Sequence, residues 1–368
     1  MPQNLRFPEF EGEWEEKQLS EIADLYKGNG ISKEQLSDSG EPCILYGELY
    51  TKYKSEVISE VVSKTNIDTN KLVRSKANDV IIPCSGETAE DIATARCVPY
   101  DNILLGGDLN IIHMHDIDGS FMSYQLNGKR KYDIAKVAQG VSVVHLYGEH
   151  LKGVKTYVPC IDEQKKIAKL LSLLDERIAT QSKVIDKLQS LIRGIAHKIS
   201  KQGKPNIRLS ECLECSSSTL QESDVAEVGA YPVYGANGIV GYLDTYNTTD
   251  EAIYIIKDGS GVGSVSYVKG KCSATGTLNI LQAKEDFSLR YLYFILKVFN
   301  FEPYKTGMAI PHVYFKDYGR ATIYCPSYVL QSKYANMLSM IEQKVLAEQQ
   351  ILTNLYSQKQ YLLRQMFI

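Results

Sequence analysis

Apolar residues recur in steps of three and four over two stretches of the chain. The first runs Leu171, Leu174, Ile178, Gln181, Ile185, Leu188, Ile192 and Ile195; the second runs Leu338, Ile341, Val345, Glu348, Leu352, Leu355, Lys359 and Leu362. This is the heptad spacing of a helix that buries one seam. A polar residue interrupts both seams at the same step, Gln181 in one and Glu348 in the other. His197 and Lys198, followed by Gly203 and Pro205, form a stop signal for the first helix. At 1.5 Å per residue, the stretch from Gln164 to Lys198 spans roughly 50 Å. A lone seam would be left wet, whereas two matched seams can bury each other. The pattern therefore predicts a helical pair rather than two helices lying on separate globules.

The helices occupy the same place in an internal repeat. Segment 140–159 reads GVSVVHLYGEHLKGVKTYVP and segment 307–326 reads GMAIPHVYFKDYGRATIYCP. Gly140/Gly307, His145/His312, Tyr147/Tyr314, Tyr157/Tyr324 and Pro159/Pro326 all stand 167 apart. The frame continues through Gln164/Gln331, Lys166/Lys333, Ala168/Ala335, Leu171/Leu338 and Leu188/Leu355. Upstream it slips: Leu109-Asn110-Ile111 matches Leu278-Asn279-Ile280 at an offset of 169, and Tyr46-Gly47 matches Tyr234-Gly235 at 188. The bodies ahead of the helices carry short β-branched runs, Val80–Pro83 and Ile253–Ile256, with turn signals at 106–107, 235–238 and 258–261. Helical stretches at 128–138 and 288–299 are interspersed. The expected plan is mixed α/β (α+β): a globule over 1–159, a helix over 160–203, a second globule over 204–326 and a second helix over 327–368.

Composition excludes several classes. The chain is 44% hydrophobic and 23% charged, with 26 Gly and 11 Pro, which fits neither disorder nor a fibre. It has no apolar run of membrane-spanning length, and the opening MPQNLRFPEFEGEWEEK lacks the basic start and apolar core of a secretory signal. Eight scattered cysteines without such a signal predict reduced thiols in the cytoplasm. The 25 Tyr against 9 Phe and 1 Trp suggest polar binding surfaces. The net charge of −3 hides a pattern: residues 1–159 hold 17 basic and 24 acidic side chains, whereas 160–204 hold 10 and 5. The helices are basic and the bodies acidic, so contact of a body with nucleic acid must rest on local patches.

Most enzyme motifs fail. There is no P-loop. Gly259-Ser-Gly261-Val-Gly263 resembles a phosphate cradle but lacks its lysine, and a tight turn explains it as well. Cys212-Leu-Glu-Cys215 has no second ligand pair for zinc, so no metal site is expected. His145 and His312 share one repeat position, where a polar group anchoring the globule to its helix is favoured over base contact. Ser85, Glu87 and Thr88 lie in a polar loop without a nucleophile elbow, but their side chains can bond base edges or phosphate.

The order of motifs resembles the DNA-specificity subunit of type I restriction–modification enzymes. The stretches LRFPEFEGEWEEKQLSEIADLYKG (5–28), IIPCSGETAEDIA (81–93), GGDLNII (106–112), YPVYGANGIVGYLDTY (231–246) and TGTLNI (275–280) carry the likeness, with VPCIDEQKKIAKLLSLLDERI (158–178) the most specific. Together they cover nearly the whole chain. One departure is Leu330, which stands where the first helix start has Glu163. The resemblance implies two target-recognition domains separated by two long antiparallel helices, each domain reading one half of a split site on double-stranded DNA. It implies no active site in this chain. Two methylation subunits would bind S-adenosylmethionine, and restriction subunits would use ATP and Mg²⁺. Expected DNA contacts are Ser85, Glu87, Thr88, Tyr234, Asn237, Ser260 and Thr275, with Lys129, Arg130, Lys269 and Lys271 as phosphate contacts. Three rivals stand beside this reading: a specificity subunit of a methylation-only complex, a two-domain enzyme binding a nucleotide at Gly259–Gly263, and a coiled-coil scaffold without a DNA role.

Overall fold

The computed structural model describes residues 5–140, 143–259, 261–307 and 310–367. Its longest elements are the helices Ile161–Ser200, 40 residues, and Tyr328–Gln365, 38 residues. Each is about 60 Å long at the α-helical rise. The chain divides into two compact units, residues 1–182 with 351–368, and residues 183–350. Each long helix is thus shared, half in one unit and half in the other.

Every described seam position is buried or half-buried, including Leu188, Ile341, Leu352 and Leu362. In the first unit Ile167, Ala168 and Leu171 pack with Leu363, Met366 and Phe367, and Leu174 and Ile178 pack with Leu355. Ascending positions of one helix meet descending positions of the other, so the pair is antiparallel. Phe121 and Tyr124 of the first globule join this cluster, and Trp14 sets its ring edge-on to Phe121 at 5.7 Å. The core is therefore continuous from globule to helices within the unit.

The main sheet of the first globule orders its strands Ala23–Lys27, Leu109–Met114, Asp79–Pro83 and Arg96–Val98, all antiparallel. Asp79–Pro83 is buried throughout, as a β-branched run covered on both faces should be. A second sheet runs Leu36–Ser37, Ser63–Thr65, Glu41–Ile44 and Leu104–Leu105, its last pair parallel. Glu15–Gln18 pairs with Lys155–Val158, just before the long helix starts.

The second globule repeats this arrangement. Its main sheet orders Leu213–Ser217, Leu278–Ala283, Glu251–Ile256 and Val265–Lys269, again antiparallel. Ser273–Ala274 adds in parallel to Tyr231–Gly235, and Ile207–Arg208 pairs with Thr322–Ile323 ahead of the second long helix. The central strands hold Leu109-Asn110-Ile111 and Leu278-Asn279-Ile280, matching the offset of 169. The expected match of Tyr46 with Tyr234 is two residues out. Ile44 pairs with Leu105 and Tyr234 with Ala274, so Tyr234 corresponds to Ile44, and Tyr46 lies past its strand end.

Candidate nucleic-acid interface

Each globule is tied to its helix by one glutamine. Gln164 donates from Nε2 to the Pro159 carbonyl at 2.8 Å and accepts at Oε1 from the Asp118 amide at 2.9 Å. Gln331 donates to the Pro326 carbonyl at 2.8 Å and accepts from the Ser288 amide at 2.9 Å. Asp118 and Ser288 are the N-caps of the globule helices Gly119–Asn127 and Leu289–Leu296. One amide side chain thus joins two helix starts. The neighbouring Glu163 is fully buried and accepts both Arg6 Nε and Nη2 at 2.7 Å, with Trp14 Nε1 at 3.3 Å. Glu163 thus fastens the segment that precedes the first globule, a role Leu330 cannot fill in the second.

A second tie differs between the units. Asp175 and Glu342 stand at the same repeat position, one residue past Leu174 and Ile341. Asp175 accepts the Tyr124 hydroxyl at 2.8 Å and Lys359 Nζ at 2.5 Å, and Lys359 also reaches Glu56. Lys359, Glu56 and Asp175 side chains are only 8% exposed, so the second polar step of the seam is a sealed ion cluster. Burial pushes the Glu56 carboxyl above its usual range, against the pull of Lys359. Glu342 instead receives Arg290 and the Tyr293 hydroxyl, the latter at 2.8 Å.

Ser85 and Glu87 line a cleft of about 610 Å³ in the first globule with Tyr46, Tyr50, Asp91 and Val143. Tyr50 donates its hydroxyl to the Ser85 carbonyl at 3.0 Å. Glu87 is exposed, whereas Thr88 caps the short helix Ala89–Ile92, accepting from the Asp91 amide at 3.1 Å. Tyr46, Gly47 and Thr51 also line a neighbouring cavity of about 820 Å³ with Ser32, Lys33 and Gln35. Lys129 and Arg130 do not join these residues. Arg130 pairs with Asp133 at 3.1 Å and lies 5.2 Å from the centre of the Tyr157 ring, beside the strand that leads into the long helix.

In the second globule Asn237 is exposed at the turn between Tyr231–Gly235 and Gly238–Leu243. Tyr234 is half-buried, its ring edge-on to Tyr254 at 5.9 Å. Lys271 lies 4.9 Å from the Tyr246 ring, which packs edge-on to Tyr231 at 4.9 Å. Thr275 is 1% exposed, with its hydroxyl 2.8 Å from that of Thr277, so it offers no surface to a base in this structure. Lys269 is separated from these groups and lines a cavity against the helices, with Arg193 and Arg290. Ser260 lies outside the described residues.

Two residue pairs matched by the repeat come together in the same way in each globule. His145 stacks on Tyr147 at 6.2 Å and His312 on Tyr314 at 6.1 Å. Val143 and Ile310, also 167 apart, are 53% and 59% exposed. His312 Nδ1 lies 2.6 Å from Asp258 Oδ1, so in the second globule the histidine is held to a loop of the globule itself and not to the long helix. The signal for both pairs was the 167 frame itself.

Among the described residues, four amides at the Gly259–Gly263 turn are already bonded. Its amides at Gly259, Val262, Gly263 and Ser264 all donate to main-chain carbonyls, Gly263 to Ile256 at 2.8 Å. A cradle needs such N–H groups free, so these four amides offer nothing to a phosphate.

One α/β frame used twice, each copy clamped to a long helix and carrying different loops, defines a two-module protein. The chain belongs to the type I restriction modification DNA specificity domain family, which matches it over residues 11–190 and again over 206–356. It is 26% identical over 200 residues to the type I restriction enzyme MjaVIII specificity subunit of Methanocaldococcus jannaschii, over 54% of this chain and 44% of that one. The aligned region thus spans less than half of that relative. It is 24% identical over 283 residues to a putative type I specificity subunit of Mycoplasma genitalium, covering 70% and 73% of the two chains. Among solved structures, the type I restriction–modification S subunit from M. genitalium overlays with a TM-score of 0.67 at 20% identity, over 100% of this chain and 99% of that one. A chain from a structural study of type I complex assembly and conformational transition overlays at 0.56 with 14% identity, over 98% and 100%. These likenesses establish the fold. No described helix is long and apolar enough to cross a membrane.

Proposed function

We propose that this chain gives a type I restriction–modification complex its sequence specificity, each globule reading one half of a bipartite DNA site. The observation that carries the reading is the contrast within the repeat. The clamps at Gln164 and Gln331 agree in partners and distances, while the loops after the equivalent strands Glu41–Ile44 and Tyr231–Gly235 differ, the first running into the short helix Glu48–Thr51 and the second turning at once into the strand Gly238–Leu243. A shared frame with unlike loops suits one docking geometry and two unlike half-sites. Glu87 can accept from cytosine N4 and Asn237 can pair with adenine in a major groove. Ser85, Tyr234 and Lys271 support these contacts, and the unread spacer lies along the helices.

The helices also carry matched exposed apolar positions. Leu170 and Met337 are 36% and 39% exposed, Leu173 and Met340 are 48% and 71%, and Val184 and Ile351 are 36% and 39%. All three pairs stand 167 apart. Two equivalent apolar stripes on one chain suit two copies of one partner, which we assign to the methylation subunits. Chemistry belongs to the partners: S-adenosylmethionine to the methylation subunits, ATP and Mg²⁺ to the restriction subunits. Electrophoretic mobility shift of the assembled complex tests the reading. Preference for duplex carrying both half-sites over scrambled duplex supports it, and equal affinity for both overturns it.

A further inference from the structure

We propose that the second unit holds a pocket for a small phosphorylated ligand of nucleotide size, separate from the DNA-reading loops. The cavity is about 660 Å³ and is lined by Arg193, Lys269, Arg290 and Lys297, with Tyr267 and Glu342. Roughly 300–1,000 Å³ is the range of small-molecule sites. Four cations face one carboxylate. Glu342 pairs with Arg290 and lies 3.8 Å from Lys297. Arg193 makes its bond to the Ser190 hydroxyl at 3.0 Å, and Lys269 lies 5.9 Å from the Tyr267 ring centre. Among the described residues neither has a carboxylate within ion-pair reach. Burial, joined by the charges of Arg290 and Arg193 and opposed by Glu342, lowers the Lys297 ammonium's affinity for its proton.

This excess is not a by-product of the repeat. At the equivalent position of the first unit, Lys359 and Glu56 seal Asp175. Guanidinium and ammonium groups converging on one opening suit a phosphoryl group, which takes bidentate bonds from arginine. Ile192, Val345 and Leu346 line the same cavity and supply apolar cover for a base or sugar. Concavity favours a small ligand over a duplex: Arg290 and Glu342 side chains are only 22% and 19% exposed, while Arg193 and Lys269 stand exposed at the same opening.

Titration calorimetry on the full chain alone, with ATP, pyrophosphate and adenosine as probes, tests this without cognate DNA or partner subunits. It is therefore independent of the DNA-recognition reading. Saturable, salt-sensitive binding of ATP and pyrophosphate but not adenosine is expected. Arg193→Gln with Lys269→Gln should weaken it about tenfold or more, with the melting temperature unchanged because both side chains are exposed. Absence of saturable binding up to millimolar probe, or equal binding by the double variant, overturns the proposal. So does a variant that loses affinity for an unrelated duplex while keeping that for ATP, since the cations would then serve the DNA backbone.

Discussion

Gln331 makes the same two hydrogen bonds as Gln164, to the same main-chain positions of its own globule and at the same distances of 2.8 and 2.9 Å. Both glutamines are buried, 2% exposed. Alanine at either position leaves a carbonyl and an amide without a partner, at a cost of about 1–3 kcal/mol. We expect the Gln164→Ala and Gln331→Ala losses to add in the double variant, because the residues lie in separate units and share no partner. Denaturant unfolding of the single and double variants measures both quantities.

The sealed cluster should respond to charge balance and to pH. Lys359→Ala leaves Glu56 and Asp175 buried without their ammonium and should cost about 3–5 kcal/mol. Replacing all three together, Lys359→Met, Glu56→Gln and Asp175→Asn, should recover much of that loss. The Glu56 carboxyl is raised in the folded protein, so the folded state holds its proton more tightly than the unfolded state. Its stabilising contribution is complete below the ordinary carboxyl range and is lost as pH rises through that range to the folded value. Stability profiles of the wild type and Glu56→Gln should therefore converge on acidification and separate, wild type lower, as pH rises across that window. Parallel profiles would contradict this assignment.

Two neighbours in the first loop should separate by role. Thr88→Ala removes the cap of Ala89–Ile92 and should cost about 1 kcal/mol, read by thermal melting. Glu87→Gln touches no such bond and should leave melting unchanged. In return it should change the base preference of one half-site, read by sequencing the sites the complex methylates.

Leu173→Asp and Met340→Asp each place a charge in one exposed stripe. Native mass spectrometry of the assembled complex should show one methylation subunit lost in each single variant and both lost in the double. The melting temperature of the isolated chain should hold, because both side chains are exposed.

The parts legible in the sequence were those with a local period or an internal copy. The seams from Leu171 and Leu338 follow from steps of three and four, and the tandem plan follows from the 167 frame. Groups paired over long separations were not legible: nothing near Lys359 in sequence points to Glu56, 303 positions away. The same blindness affected the loops. Thr275 sits in a polar turn yet is buried by its pairing with Thr277, and Lys269 lies at a strand end that faces the helices. The tyrosine excess had a second meaning. Tyr124, Tyr254, Tyr291 and Tyr318 are buried, and each hydroxyl bonds within the fold, to Asp175, Thr248, the Tyr324 carbonyl and Asn279. A good part of the tyrosine content anchors the globules, while Tyr46, Tyr147, Tyr246 and Tyr314 remain exposed.

The central claim is that each globule reads its own half-site. Replacing residues 1–159 with the corresponding body of a subunit of different specificity, then mapping methylated adenines in cells by single-molecule sequencing, tests it most directly. The account predicts that one half-site changes while the other half-site and the spacer length stay fixed, because both long helices and the second globule are untouched. Retention of both original half-sites, or a change in both, would contradict it.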